Sequence, residues 1–453
     1  MRRLAIDDFD SSSANLSSHD FLGQIEVSLA EVVSNQSKAF KRKLGGKNGT
    51  IQIISEEVSN SREEVTFVFH AKDLDKKDFF GKSDPFLEVS RSTESNQYVV
   101  VHRTEVVMNN LNPRWKQFTL PAGSLCNGDY FRDLKFSVYD WNRGGSHDYI
   151  GSFHTNMDRL SKGPGPENQF TVINEEKQKK KGSKYKGSGT VSLQNISIVT
   201  VPSFLDYIQG GTQINFSLAV DFTGSNGNPN SPQSLHYKDP SGRPNQYVTA
   251  ISAVGDIIQD YDSDKQFPAL GFGAKIPPSY QVSHEFFLNL NPESPFCAGM
   301  EGVLAAYYNA LYSVHLHGPT NFSPVINHVA KFAQAYQNDP TNYFVLLIIT
   351  DGVITDLEET KRAIISASSL PLSLIIVGVG DADFGDMNAL DSDNSRLLQS
   401  GHLVAQRDIV QFVEMRQFVS GAGSWDKEQL ARSVLAEIPT QLCSYMKRKS
   451  FRP

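Results

Sequence analysis

Two hydrophobic patterns divide this chain near residue 200. Upstream, short runs in which apolar and polar residues alternate are separated by clusters of Gly, Asn, Ser and Asp, which predicts antiparallel β-strands. These runs cover residues 65–69, 86–89, 134–138 and 191–198. Downstream, apolar strands alternate with amphipathic helices, which is typical of a parallel sheet with helices on both faces. We therefore predict an all-β sandwich region followed by an α/β region.

Two helix starts in the downstream region carry capping signals. Ser323 followed by Pro324 predicts an N-cap with proline at the first helical position. Thr355 and Glu358 have the spacing of a capping box, soon after the apolar run at residues 344–349. We expect each of these caps to serve its own helix.

Hard oxygen donors follow two of the predicted strands. Asp221, Thr223 and Ser225 stand at alternate positions after an apolar strand, and Asp351 follows the strand at residues 344–349. Because ligands of open α/β sheets bind beyond the carboxyl ends of the strands, these side chains should meet at one edge. Their oxygen atoms suit Mg²⁺, Ca²⁺ or Mn²⁺ rather than zinc. Each segment alone also fits an ordinary turn capped by Asp or Ser, whereas the pair favours a metal site.

A second set of oxygen donors lies in the all-β region. Asp78 and Asp84 belong to one predicted loop, and Asp140, Asn142 and Asp148 belong to another. Carboxylates gathered at one end of a β-sandwich repel one another unless a cation binds, and Ca²⁺ takes roughly six to eight oxygen ligands. Asp and Asn also populate turns for conformational reasons, which explains one such loop better than both. We predict that the two loops bind calcium.

The second of these loops has a counterpart near the start of the chain. The order of Asp8, Asp10 and Asp20 resembles the order of acidic residues in residues 140–151. This repeat implies two copies of one β module, of which the first lacks its front half. The predicted parts in chain order are a partial β module at residues 1–45, a complete β module at 46–200, an α/β module at 201–420 and a helical tail at 421–453.

Apolar and basic side chains accompany the predicted calcium loops. Phe79 and Phe80 lie in the first loop, where they either probe a bilayer or pack into the sandwich. Lys179, Lys180 and Lys181 belong to a lysine run that interrupts the last hairpin of the module, and such a run is usually a solvated loop. Beside a calcium-filled loop, each lysine near an anionic membrane surface would add about 1 kcal/mol.

Composition narrows the class of protein. A net charge of −7 argues against a general nucleic-acid binder. Cys126, Cys297 and Cys443 are scattered and odd in number, which fits a reducing compartment and no disulfide framework. The first residues lack the apolar core of a secretory signal, and no run of about eighteen apolar residues occurs. We expect a cytoplasmic protein.

The all-β region resembles a C2 domain in residues 74–86, in the Asn-Pro-Arg-Trp of residues 112–115, and in residues 140–151. The residues that match the calcium-ligand positions by this resemblance are Asp78, Asp84, Asp140, Asn142 and Asp148. Asn142 stands where Asp is usual, so it keeps an oxygen but removes a charge. The residues of the amino-terminal copy that match the second calcium loop are Asp8, Asp10 and Asp20.

The whole chain resembles the copine family. Its segments at residues 234–237, 271–274 and 347–352 are close to copine signatures, and they follow C2-like segments as in that family. The resemblance implies a downstream module similar to a von Willebrand factor A domain, a Rossmann-like fold with a metal-ion-dependent adhesion site. The residues that match this site are Asp221, Thr223, Ser225 and Asp351. A further threonine of the site has no counterpart in residues 297–303, which leaves Glu301 or water as its substitute.

Three functional hypotheses follow. The first is a non-enzymatic, calcium-dependent protein that binds anionic phospholipid, holds Mg²⁺ or Mn²⁺ in its α/β module and recruits protein partners there. The family resemblance implies movement from cytoplasm to plasma membrane and roles in trafficking or signalling.

The second hypothesis is an enzyme that uses the metal at Asp221 and Asp351 for phosphoryl transfer, although the sequence contains no Walker, Gly-x-Ser-x-Gly or His-Glu-x-x-His motif. The third is a calcium-insensitive cytosolic scaffold. In that case, truncation of the first β module has removed membrane switching, because residues 1–45 cannot close a sandwich alone.

Overall fold

The computed structural model separates the chain into two compact units, Met1–Val201 and Pro202–Pro453. The residues it describes are 2–8, 20–28, 31–32, 40–45, 49–53, 61–77, 81–94, 96–143, 145–259, 261–262, 264–391, 397–419 and 425–453. No helix among these residues is long and apolar enough to cross a bilayer.

The first unit is built almost entirely from antiparallel strands. Its strands are β1 (Arg2–Asp8), β2 (Asp20–Val27), β3 (Phe40–Lys43), β4 (Thr50–Ile53), β5 (Glu63–Lys72), β6 (Pro85–Ser92), β7 (Tyr98–Arg103), β8 (Phe118–Pro121), β9 (Leu134–Asp140), β10 (Asp148–Thr155), β11 (Gln169–Thr171) and β12 (Thr190–Thr200). Its short helices are α1 (Ala122–Cys126), α2 (Met157–Leu160) and α3 (Glu175–Lys181).

Two four-stranded sheets form a sandwich within this unit. One sheet has the order β10-β9-β6-β7 and the other has the order β11-β12-β5-β8. In β5, Val65, Phe67, Phe69 and Ala71 are fully buried, while the residues between them are only partly buried. The Phe69 ring lies 5.2 Å from that of Phe136, which joins the two sheets across the core. The alternating pattern in the sequence therefore predicted the sandwich correctly.

Two hairpins precede the sandwich in the chain. β1 pairs with β2, so that Asp8 lies opposite Asp20, and β3 pairs with β4. An isolated bridge joins Gln24 to Gly45. Two-stranded hairpins are marginally stable at best by themselves. The predicted partial module is therefore represented, in the described residues, by small hairpins and not by a second sandwich.

The second unit alternates strands and helices. Its strands are β13 (Gln213–Asp221), β14 (Gln266–Phe272), β15 (Ala274–Ile276), β16 (Gln281–Ser283), β17 (Phe286–Phe287), β18 (Phe296–Ala298), β19 (His315–Leu316), β20 (Asn342–Thr350), β21 (Leu372–Gly378), β22 (Gln399–Ser400), β23 (Leu403–Val404) and β24 (Val410–Glu414). Its helices are α4 (Phe204–Gln209), α5 (Gln246–Ile258), α6 (Gly299–Ser313), α7 (Ser323–Ala335), α8 (Leu357–Ala367), α9 (Gly385–Leu390), α10 (Lys427–Val434) and α11 (Ile438–Arg448).

A central sheet with helices on both faces organises this unit. Strands β14, β13, β20, β21 and β24 run parallel in that order, and the short β17 pairs antiparallel with β14. Helices α5, α6, α10 and α11 share one hydrophobic core, and α7, α8 and α9 share the core on the opposite face. The predicted α/β fold is confirmed.

The predicted helical tail forms part of this α/β core. Leu430 of α10 and Leu442 of α11 are fully buried against the sheet, together with Met446. Pro439 lies in the first turn of α11, where its missing N–H has no helical partner to lose. The buried guanidinium of Arg407 donates to the carbonyl oxygens of residues 370 and 372, at the start of β21, and to that of residue 441 in α11. Arg407 therefore connects α11 to β21. The tail is therefore structural, and the sequence pattern understated its burial.

Truncation of a tail residue should destabilise the second unit. We expect Leu442→Ala to lower the free energy of unfolding by about 2–5 kcal/mol, because it leaves a cavity in the core. Chemical denaturation followed by circular dichroism measures this change. Leu205→Ala is the matched control, since Leu205 is 56% exposed, and it should change the free energy by less than about 0.5 kcal/mol. Similar effects of the two substitutions would contradict the packing of the tail.

Candidate functional site

The register of the sandwich brings most of the predicted calcium ligands to one end. Asp140 closes β9, where it pairs with Pro85 of β6 on one side and with Asp148 of β10 on the other. Asp84 directly precedes β6, so its carboxylate joins the same group. Asp78 lies outside the described residues. Two loops that are distant in sequence therefore present their acidic residues together.

Backbone hydrogen bonds orient the carboxylates of Asp84 and Asp140. The Asp84 N–H donates to Oδ1 of Asp140 over 2.5 Å, and the Asn109 N–H donates to Oδ1 of Asp84 over 2.5 Å. Asp140 is fully buried. These bonds fix the orientation of the two carboxylates, whose charges a divalent cation would neutralise.

Asn142 takes part in this cluster through its nitrogen. Its Nδ2 donates to Oδ2 of Asp148 over 3.0 Å and to the carbonyl oxygen of Ser146 over 3.0 Å. An aspartate at this position would repel Asp148 instead of bonding to it. The side chain must therefore rotate before its oxygen can serve as the predicted ligand.

Two lysines lie among these acidic residues. Partial burial lowers the pKa of Lys77, as does the neighbouring Lys177, while Asp148, Asp75 and Asp140 act in the opposite direction. The ammonium of Lys177 lies 2.6 Å from Oδ2 of Asp75. Burial opposes ionisation of Asp75, but the hydrogen bonds from Lys177 and Ser188 and the charges of Lys177 and Lys77 together outweigh burial and lower the pKa of Asp75. The sequence analysis missed Lys77, although its position directly before Asp78 was a visible signal.

The lysine run forms a helix where the sequence analysis expected a loop. Lys179, Lys180 and Lys181 are exposed in the last turn of α3. The Asn174 side chain caps this helix by accepting from the Lys177 N–H, and acidic residues occupy the first turn. This charge order complements the helix dipole, which explains why a short polar segment is helical here.

Other predictions for the first unit lie partly outside the described residues. Phe79, Phe80 and Asp10 lie outside the described residues. Whether the two phenylalanines probe a bilayer or pack into the sandwich therefore stays a prediction. The backbones of Asp8 and Asp20 pair across the first hairpin. This pairing places the ends of β1 and β2 side by side, as a strand–loop–strand repeat requires.

All four predicted residues of the α/β site meet at the carboxyl edge of the sheet. β13 ends at Asp221 and its parallel neighbour β20 ends just before Asp351. Oδ1 of Asp221 accepts from the Thr223 hydroxyl over 2.6 Å, and its Oδ2 accepts from the Thr350 hydroxyl over 2.6 Å. The Ser225 hydroxyl lies 2.9 Å from that of Thr223 and donates to Asp351 over 3.0 Å.

Asn226 extends this network beneath the two carboxylates. Its Nδ2 donates to Oδ1 of Asp351 over 3.0 Å, and its Oδ1 accepts from the Tyr247 hydroxyl over 2.7 Å. Asn226 is almost fully buried, as is Asp221. The sequence analysis did not select Asn226, although it directly follows Ser225 in the loop.

The two carboxylates lie in an environment that disfavours their negative charges. Burial raises the pKa of Asp221, and burial together with the charge of Asp221 raises the pKa of Asp351 to about 7. Among the described residues, no Lys or Arg forms an ion pair with either carboxylate. Hydroxyl and carboxylate oxygens with no cationic neighbour are suited to a hard divalent cation.

Thr320, and not Glu301, lies near this site. A Cβ placed on Gly352, beside Asp351, would lie 3.3 Å from the Thr320 hydroxyl oxygen and 3.7 Å from that of Ser225. Glu301 follows β18, which pairs with the first residues of β14, whereas Asp221 pairs with its last residue. The expectation that Glu301 substitutes for the missing threonine is therefore wrong, because it lies at the opposite edge of the sheet.

Thr355, predicted as part of a capping box, instead holds Thr320 in place. The Thr355 hydroxyl accepts from the Thr320 N–H over 3.2 Å, and the Thr355 N–H donates to the Thr320 carbonyl over 2.8 Å. The Asp356 carboxylate accepts from the backbone N–H groups of Phe322 and Ser323 at the start of α7. Neither Ser323 nor Thr355 is an N-cap, because α7 is capped at Phe322 and α8 at Asp356, whereas Pro324 lies in the first turn of α7 as predicted. The Gly-Pro that precedes Thr320 was the signal for this turn.

A buried histidine supports Asp221 from below. Nε2 of His236 donates to the Asp221 carbonyl over 2.9 Å, so its Nδ1 accepts from the Tyr307 hydroxyl over 2.8 Å. Burial lowers the pKa of His236 to about 3, which keeps the ring neutral. His236 therefore positions the backbone at Asp221, which gives a structural role to the segment at residues 234–237.

A further acidic group occurs in the second unit. Carboxylate oxygens of Asp391, Asp408 and Glu437 lie within 4.8 Å of one another. Oδ2 of Asp391 accepts from the Phe412 N–H, and Oδ1 of Asp408 accepts from the Val410 N–H. Both N–H groups belong to β24, so these hydrogen bonds anchor that strand.

Comparisons with known proteins agree with the two units. Residues 65–172 match the C2 domain family and residues 234–453 match the Copine family. Among solved structures, BON1-C2B is 25% identical over 31% of this chain and 93% of that chain, with a TM-score of 0.25. A C2 domain of plant Extended Synaptotagmin 1 is 22% identical over 32% and 95% of the two chains, with a TM-score of 0.22. A RIM C2 domain from Drosophila is 20% identical over 22% and 79%, with a TM-score of 0.18.

The matches and the fold define a C2 domain followed by an α/β module that is compatible with a von Willebrand factor A-like domain. This order of domains is consistent with a copine-family protein, with a C2 domain at residues 65–172 and a copine domain at 234–453. C2 and copine domains characterise membrane-binding, calcium-regulated proteins.

The stability of the metal-free protein should depend on pH through Asp351. Its pKa is about 7 in the folded chain against an ordinary value of 3.8, so the folded state binds the proton more tightly. We expect the free energy of unfolding to fall as the pH rises from about 4 to about 7. The loss should be a few kcal/mol, since one pKa unit is about 1.4 kcal/mol.

Urea denaturation in a metal chelator at pH 5 and pH 8 measures this dependence. Asp351→Asn should reduce the difference between the two pH values, because the amide does not titrate. The exposed Asp381 gives the matched control Asp381→Asn, which should retain the wild-type difference. An unchanged difference in Asp351→Asn would show that this carboxyl keeps an ordinary pKa.

Proposed function

We propose that the protein is a calcium-dependent peripheral membrane protein. The observation that carries the proposal is the strand register that brings Asp84, Asp140 and Asp148 to one end of the sandwich. Calcium would bind these carboxylates together with Asp78 and, after rotation, the oxygen of Asn142. Binding removes the repulsion between the acidic loops and lipid phosphate, and the ion can bridge protein and headgroup.

The lysines give this proposal a regulatory element. Lys77 already contributes positive charge to the acidic cluster, so calcium must bind in its presence. Lys179, Lys180 and Lys181 are exposed on α3. The first residue of α3, Glu175, accepts a hydrogen bond from the Tyr149 hydroxyl, so this helix lies beside β10. Each of these lysines would add about 1 kcal/mol of attraction to an anionic surface. We expect this contribution to weaken as salt increases.

We further propose that the α/β module holds Mg²⁺ or Mn²⁺ and binds protein partners. Ser225, Thr223 and the two carboxylates would supply oxygen ligands as in a metal-ion-dependent adhesion site, and Thr320 supplies the further hydroxyl. When bound, the metal would leave a position open for an acidic group of a partner. Hydroxyl and amide hydrogen bonds hold these oxygen donors in place, which supports a role in recognition.

In the cell, these properties would move the protein from the cytoplasm to the plasma membrane when calcium rises, in trafficking or signalling. The proposed parts remain a partial C2 domain at residues 1–45, a complete C2 domain at 46–200 and an A-type domain at 201–420. The residues after 420 would complete that last domain instead of forming a separate tail.

A second candidate is a scaffold that does not respond to calcium. The presence of Lys77 in the acidic cluster and of Asn142 in place of an aspartate favours this alternative. A lysine ammonium can neutralise the carboxylates permanently, as calcium would neutralise them reversibly. Liposome binding with and without a calcium chelator distinguishes the two candidates.

Replacing two acidic residues should weaken calcium-dependent membrane binding. We expect Asp84→Asn combined with Asp148→Asn to raise the calcium concentration for half-maximal sedimentation with phosphatidylserine liposomes at least about tenfold, because a loss of 1.4 kcal/mol is tenfold in affinity. Asp158→Asn is the matched control, since Asp158 lies on α2 beyond the opposite end of β10.

Sedimentation that requires calcium in the wild type and the control, but fails in the double variant, supports the proposed site. Calcium-independent sedimentation of the wild type supports the scaffold. Unchanged calcium dependence in the double variant would refute this ligand set.

A further inference from the structure

A cavity of about 200 Å³ lies in the α/β module, away from the proposed metal site. It is lined mainly by residues near the starts of β13, β14 and β20 and by residues in the second half of α7. Asp221 and Asp351 lie at the carboxyl ends of the strands, so the cavity and the metal site occupy opposite edges of the sheet. Neither the calcium loops nor the metal site explains its chemistry.

The walls of this cavity are largely aromatic. Phe216 and Phe344 form a buried floor, being 2% and 8% exposed. Phe296, Phe332 and Tyr336 are 50%, 51% and 38% exposed at the rim. Large aromatic side chains that converge on a cavity while remaining this exposed indicate a surface that receives a ligand.

Carboxylates accompany the aromatic rings. Asp262 and Asp264 both line the cavity, and Asp262 is only 7% exposed. Asp262 accepts from the backbone N–H groups of Lys265 over 3.2 Å and Phe216 over 3.5 Å, which fixes its position. In the described part of the chain, neither carboxylate forms an ion pair with a Lys or Arg side chain. Burial, together with Asp264, raises the pKa of Asp262 to about 6.

The last turn of α7 adds to the negative character of the cavity. This turn contains no basic residue, and its carbonyl groups form the negative end of a thirteen-residue helix. His328, one turn earlier on the cavity wall, pairs through Nδ1 with Glu285 over 2.5 Å. Among the ion pairs of the described residues, His328 is therefore paired with Glu285 and not with Asp262 or Asp264.

We propose that this cavity binds a small organic cation of the alkylammonium class. Aromatic faces attract such a cation through their quadrupoles, and adjacent carboxylates neutralise its charge. A neutral apolar ligand would fill the same volume but would leave the buried Asp262 and the exposed Asp264 beside it without a cation. The cation could be a free amine or the lysine side chain of another protein, which share this chemistry.

Choline and its neutral isostere 3,3-dimethyl-1-butanol test the proposal on the full chain. Both fill the same space, but only choline carries a charge. Titration by saturation-transfer NMR, with a chelator present so that no metal contributes, should show at least tenfold weaker binding of the isostere. Nα-acetyl-lysine methylamide, titrated in parallel, represents the lysine side chain of a partner, and the tighter of the two cations identifies the source.

Two variants locate the binding within the cavity. Phe332→Ala and Asp264→Asn each alter an exposed side chain, so neither should unfold the protein, and each should weaken choline binding at least threefold. The matched controls are Tyr312→Ala, which removes an aromatic residue that is 73% exposed elsewhere in the module, and Asp381→Asn. Both controls should bind choline like the wild type. Equal affinity for choline and the isostere, or choline binding unaffected by Phe332→Ala and Asp264→Asn, would overturn the proposal.

Discussion

The burial of Asp221 beside Asp351 is the constraint on which the α/β module depends. Two carboxylates in a water-poor environment repel each other, and desolvation disfavours both charges. The chain surrounds them with hydroxyl and amide donors from Thr223, Thr350 and Asn226, but it supplies no cationic side chain among the described residues. Such a group is stable without metal only if a proton is retained, and a divalent cation can replace that proton.

The edge of the sheet is organised around this requirement. His236 fixes the backbone at Asp221 from below, while Tyr247 fixes Asn226. From the neighbouring loop, Thr355 holds Thr320 beside Gly352, where a larger side chain would meet the Thr320 and Ser225 hydroxyls. Contacts of this kind fix the positions of the oxygen atoms at the site. The sandwich solves a similar problem differently, because Lys77 brings a cation into its acidic cluster.

This difference suggests separate roles for the two modules. A cluster that already contains an ammonium group exchanges one cation for another, so its occupancy should follow the calcium concentration. A pair of carboxylates without a cationic neighbour gains more from a metal and should retain it. The sandwich would then determine when the protein binds a membrane, and the α/β module would determine what it holds there.

The sequence alone predicted the sheets and the strand ends at which the candidate ligands lie, because both depend on local patterns. Alternation identified β5, and the ends of β13 and β20 identified Asp221 and Asp351. Thr320 was missed because its place at the site depends on contacts with Thr355 across the chain, which no local spacing encodes. The helix α3 was missed because its stability comes from a cap and charge order, not from an apolar face.

Measuring Mn²⁺ binding by electron paramagnetic resonance tests the central claim most directly. Purified protein, stripped of metal and held at pH 7.5, is titrated as wild type, Asp351→Asn and the exposed control Asp381→Asn. The account predicts one Mn²⁺ site that the wild type and the control share and that Asp351→Asn loses. Identical binding curves for all three proteins would contradict the account, because the buried carboxylates would then hold no metal.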